Sequence, residues 1–134
     1  MANLKAPVRV YKTFPKVGRH LHYIDTPEGN PRNGEGSFIR LAGGEIMHVY
    51  SRYVGFDYHD DCRAEIAGII SRDEGETWSD EYILDDRINM QKQRDMGYPA
   101  TVELSDGSLL TLYYQALPDD WHTSILYTKW RIEE

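Results

Sequence analysis

The chain has 134 residues, a length for one domain, and its 40% hydrophobic and 28% charged residues argue against a disordered polymer. A formal net charge of −7 repels phosphate backbones and argues against a nucleic-acid partner; no apolar run approaches the roughly 18 residues of a membrane span. Ten Tyr, three Trp and three Phe suit an all-β fold or a carbohydrate-facing surface.

From the N-terminus, residues 1–7 lack an apolar h-region, so no secretory signal is expected. The single cysteine, Cys62, permits a reducing compartment, and the expected location is cytoplasmic. Residues 8–14 (VRVYKTF) read as a strand. His20 and His22 alternate onto one face of an extended segment, the pattern of a surface pair. Residues 36–42 (GSFIRLA) meet Gly43-Gly44 and continue into 45–51 (EIMHVYS), a hairpin whose glycines supply positive φ at the turn. Residues 64–71 make a third strand and 81–85 a fourth, while 88–94 form the one weak helix candidate. A second hairpin follows, 99–105 (PATVELS), Asp106-Gly107, then 108–114 (SLLTLYY), with a third strand over 123–130.

The two hairpins align without a gap, and each leads through a loop of different length into a third strand. Four antiparallel strands repeated radially make a β-propeller, which needs about four to eight blades. The expected units are one blade over 36–85 and a second over 98–132, within a single domain over 1–134. The second blade lacks its fourth strand, which residues 8–14 would supply from a neighbouring copy. The expected partner is therefore this chain itself, as a homotrimer of six blades with strand exchange. A simple fragment of a longer propeller is the alternative.

Between the third and fourth strands stands Ser71-Arg72-Asp73-Glu74-Gly75-Glu76-Thr77-Trp78, S-x-D-x-G-x-T-W. Asp73 can tie down turn N–H groups, Gly75 admits a left-handed backbone, and Trp78 offers an apolar plate over the turn. The string resembles the Asp-box (BNR repeat) of sialidases and related six-bladed propellers. Residues 35–46 resemble the opening blade of that family and 97–107 a late one. The resemblance implies that Ser71, Asp73, Gly75, Thr77 and Trp78 are structural and lie away from the active face. It implies a glycan, sialylated or otherwise, as partner, and glycoside hydrolase (neuraminidase) activity if the chain is an enzyme.

The same resemblance places the acid/base among Asp57, Asp60 and Asp61, a sugar contact at Arg52, and a nucleophile or binding ring at Tyr98. Glu35 stands where the family carries an arginine, with Arg32 nearby, and both count as substrate-contact candidates. Trp121, in the equivalent loop of the second blade, is a sugar-stacking candidate. The loop of residues 57–61 reads equally as a solvated turn, and Tyr98 as a packing residue. No zinc spacing or cofactor motif is present, so no metal and no cofactor are expected. A non-catalytic lectin-like or scaffold assembly, or an inactive propeller piece, is the rival reading.

Overall fold

The computed structural model describes residues 18–56, 59, 62–86, 96–116 and 123–133. They form an all-β molecule of two antiparallel sheets, with no helix among the described residues. The first sheet is β1 (Asn33–Arg40), β2 (Ile46–Tyr53), β3 (Ala64–Ser71) and β4 (Tyr82–Asp85), in that spatial order. The second is β5 (Met96–Glu103), β6 (Leu109–Ala116) and β7 (Thr123–Trp130). No helix of the described residues is long and apolar enough to cross a membrane. The expected closing strand at 8–14 and the helix candidate at 88–94 lie outside the described residues.

The internal repeat is written into the hydrogen bonds. In the first hairpin Leu41 N–H donates to Glu45 O at 2.8 Å and Gly44 N–H to Leu41 O at 2.9 Å. In the second, Leu104 N–H donates to Ser108 O at 2.8 Å and Gly107 N–H to Leu104 O at 2.9 Å. Leu41 and Leu104 stand 63 positions apart, as do the glycines, whose φ values of 99° and 78° only glycine adopts without strain. The registers keep the same spacing: Arg40 opposes Ile46 as Glu103 opposes Leu109, and Phe38 opposes His48 as Thr101 opposes Thr111.

Both first strands begin earlier than turn chemistry predicts. Asn33-Gly34-Glu35-Gly36 reads as loop, yet Asn33 pairs with Arg52 across a bulge that lies between Asn33 and Gly36. A Cβ at Gly36 would lie 2.5 Å from His48 Nε2 and 2.6 Å from the Val49 carbonyl, so glycine permits the close approach. In β5 the bulge falls between Gly97 and Ala100, carrying the strand back to Met96.

The sheets pack face to face with β5 alongside β1. Ser37 Oγ donates to the Pro99 carbonyl at 2.7 Å, and Ala42 N–H donates to Glu103 Oε2 at 2.5 Å, so the two first strands run parallel. Alternation along β2 sends Met47, Val49, Ser51 and Tyr53 toward the second sheet, where Met47, Val49 and Tyr53 join Leu109 and Tyr113 of β6 in one core cluster and Ser51 meets Gly97. Tyr113 O–H donates to Asp85 on β4 and lies 2.6 Å from Thr128 Oγ1, fastening the outer strands together. A second cluster, Tyr50, Ala67 and Ile69, sits on the opposite face of the first sheet beneath Ile24 and Trp78. Residues 18–25 cross that face as a strap, anchored at one end by the Arg19–Glu76 ion pair.

Candidate functional site

The strand ends divide the molecule into a lower end, with both hairpin turns and residues 71–78, and an upper end. At the lower end the local hydrogen bonds account for every fixed position of the S-x-D-x-G-x-T-W string. Asp73 Oδ1 accepts from Thr77 N–H at 2.8 Å and from Ser71 Oγ at 2.9 Å, and Asp73 Oδ2 accepts from Thr77 Oγ1 at 2.5 Å. Ser71 Oγ in turn accepts from Gly75 N–H at 2.8 Å. Trp78 Nε1 donates to the Gly75 carbonyl at 3.1 Å while its ring covers the second cluster. Glu74 and Gly75 take consecutive left-handed conformations, with φ of 60° and 91°. The Thr77 hydroxyl, then its backbone N–H, hold the Asp73 carboxyl below the usual carboxylate range. With its oxygens committed to the turn, Asp73 acts on the backbone.

A second group of charged and aromatic side chains lies toward the upper end. Arg52, at the end of β2, lies between two carboxylates, with NH1 3.1 Å from Glu65 and Nε 3.1 Å from Glu81. Tyr50 O–H also donates to Glu81, at 2.8 Å. Burial first, and then this hydrogen bond, push the phenol above its ordinary value, so Tyr50 stays protonated. Arg32 precedes β1; its guanidinium stacks 4.3 Å from the centroid of the Tyr53 ring and donates to the Tyr53 hydroxyl at 3.2 Å. A Cβ at Gly97 would lie 3.7 Å from Glu35 Oε2, so Glu35 stands beside the start of β5.

Tyr98 is the exposed element of this end. It is 63% exposed, holds a positive φ of 52°, and stacks on Tyr114 with ring centroids 5.6 Å apart. For a residue with a Cβ that backbone conformation is strained, and such strain clusters at functional sites. Phe56, in the loop after β2, is 80% exposed at the same end.

No protein-family model matches this chain, and no curated protein matches it either.

Of the sequence-derived candidates, Arg32, Glu35, Arg52 and Tyr98 all fall at the upper end, and the string from Ser71 to Trp78 falls at the lower. Asp57, Asp60, Asp61 and Trp121 lie outside the described residues. Sequence reasoning passed over Phe56, Glu65 and Glu81, and read Tyr114 as a packing residue. Glu65 was legible in principle, since it opposes Arg52 across the β2–β3 ladder once the register is drawn. Among the described residues no three His, Cys, Asp or Glu side chains converge as a metal ion would need. The upper end offers exposed rings beside tethered guanidinium and carboxylate groups. That combination can cover the apolar face of a sugar and hydrogen-bond its hydroxyls.

Proposed function

We propose that this chain is a sialidase-like propeller unit whose upper end binds glycans. The observation that carries the reading is the Tyr98–Tyr114 stack, which presents one strained, exposed ring at the start of the second sheet's first strand. Glu35, beside the neighbouring Gly97, supplies acceptors for sugar hydroxyls, and Arg32 at the same end supplies donors. The hydrogen bonding of residues 71–78 supports the kinship with Asp-box propellers, because the side chains that define the string each close the same turn. Binding is the primary reading, since the guanidinium of Arg52 is already engaged by Glu65 and Glu81. Hydrolysis would add an acid/base from Asp57, Asp60 or Asp61 and a nucleophilic role for Tyr98.

A glycan array followed by titration calorimetry tests this, run beside a panel of fluorogenic glycosides that includes sialosides. The expected result is selective binding that Tyr98→Ala weakens about tenfold, or about 1.4 kcal/mol. Turnover lost in Asp57→Ala, Asp60→Ala or Asp61→Ala would move the protein from lectin to hydrolase. Absence of binding and turnover in the folded wild type, or binding indifferent to Tyr98→Ala, would overturn the assignment.

A further inference from the structure

The repeat determines which faces of the two sheets are equivalent, and the packing then shows which faces are used. At the 63-residue spacing fixed by the paired hairpins, Met47 and Val49 of β2 correspond to Leu110 and Leu112 of β6, and Ile46, His48 and Tyr50 correspond to Leu109, Thr111 and Tyr113. Inside the chain, the first sheet uses its Met47–Val49 face and the second sheet its Leu109–Tyr113 face. The contact is thus heterologous: two different faces of one repeating unit meet. Left over are the Leu110–Leu112 face of the second sheet and the Ile46–His48 face of the first. By equivalence these are the same two kinds of face that already pack against each other.

Burial follows this logic. Met47 and Val49 are fully buried, yet their counterparts are not: Leu110 is half-buried and Leu112 is 37% exposed. Leu109 and Thr111 are buried, yet Ile46 and His48 are only partly so. The exposed large hydrophobics among the described residues sort in the same way. Val102, Leu112, Ile125 and Tyr127 lie on the open face of the second sheet. Phe38 and Ile83, with Leu21 and Tyr23 of the strap, lie on the open side of the first. Tyr98, stacked on Tyr114, borders the open face of the second sheet, and Phe56, at the upper end, falls outside the two groups. Apolar surface concentrated in two patches, rather than scattered, marks an interaction site.

The strap, through Ile24, packs with Trp78 over Tyr50, Ala67 and Ile69 on the first sheet's open face. It leaves clear the half around the β1–β2 hairpin turn, where Phe38, Ile39, Arg40, Ile46 and Trp78 line an open groove of about 410 Å³. This is the half nearest the first strands, where β5 meets β1 inside the chain.

We propose that a second copy of this chain docks head to tail, its Leu112–Tyr127 face filling the Phe38–Trp78 groove and reproducing between chains the contact already made within one. A heterologous contact of this kind leaves one open face at each end of a pair, so it propagates until the ring closes. Three copies bring six sheets, within the four to eight that propellers close. The Tyr98–Tyr114 stack adjoins this face at its upper edge, so assembly is read by mass and glycan binding is tested separately.

Light scattering coupled to size exclusion tests it on the wild type and on two variants at exposed positions, Phe38→Glu and Tyr127→Glu. The expected wild-type mass is three times the 15.6 kDa of the chain. Each variant, shown to be folded by circular dichroism and a cooperative melt, should run as a monomer. An equimolar mixture should stop at the two-copy mass, because each variant retains the face that the other has lost. Phe38→Ser and Tyr127→Ser replace any variant that fails to fold. A monomeric wild type overturns the proposal, as does an assembly that survives either folded charge variant. A mixture that remains monomeric overturns the heterologous pairing.

Discussion

Replacing Tyr113 by Phe isolates the polar fastening between the two sheets. The ring is fully buried and its apolar contacts survive the change; only the hydroxyl is lost, with its bonds to Asp85 and Thr128. Asp85 is itself 5% exposed, so water cannot freely replace the lost donor. Removing one partner from a buried polar pair costs about 1–3 kcal/mol. For a chain of this length, that lowers Tm by roughly 3–15 °C at fixed protein concentration. Chemical denaturation of the wild type, Tyr113→Phe, Asp85→Asn and the double variant closes a mutant cycle. The expected coupling between Tyr113 and Asp85 is about 1 kcal/mol or more, since they bond directly. A coupling near zero, with Tm unmoved by Tyr113→Phe, would refute the idea that this contact holds the sheets together.

Two further outcomes concern pH. Asp73 has a lowered carboxyl in the folded chain, so its contribution is complete above the ordinary value of 3.8 and is lost as pH falls through the folded value. Asp73→Asn should lower the urea midpoint at pH 7 and flatten its acid-side fall, and an unchanged midpoint would contradict the turn-fastening role. His48 stacks on Phe38 and Tyr50 with centroids 4.8 and 5.1 Å away, and burial lowers its ordinary value of 6.5. The unfolded imidazole takes up protons that the folded one resists, so its stabilisation is complete above about 6.5 and falls as pH drops below it. His48→Phe should flatten the dependence of the urea midpoint between pH 7 and pH 5.

Local chemistry made most of the fold legible. Gly43-Gly44 and Asp106-Gly107 between β-rich runs located both hairpins, and the strands over 64–71 and 123–130 have the bounds that alternation gives them. The upper starts of β1 and β5 were missed because Asn33-Gly34-Glu35-Gly36 and Met96-Gly97 have turn composition. Their pairing rests on bulges that tertiary contact with β2 and β6 selects. The turn at residues 71–78 could be read from sequence, since its fixed positions bond chiefly among themselves. The upper end could not, because its groups meet across strands. Arg52 with Glu65 needs the β2–β3 register, and Glu35 beside Gly97 needs the docking of two sheets. Exposure of Phe56 and Tyr98 is likewise a property of the folded surface.

The meander order of both sheets bears on how the chain finds its structure. Every strand pairs with its immediate neighbour in sequence, so each ladder closes only a short loop, and the entropy of loop closure grows slowly with length. Between the sheets the encounter is distant, with Ser37 meeting Pro99 across 62 positions. Contact order is therefore low within a sheet and high between sheets. The docking surface around Met47, Leu109 and Tyr113 is where the search cost falls, so substitutions there should slow folding more than equal destabilisation at the hairpin turns.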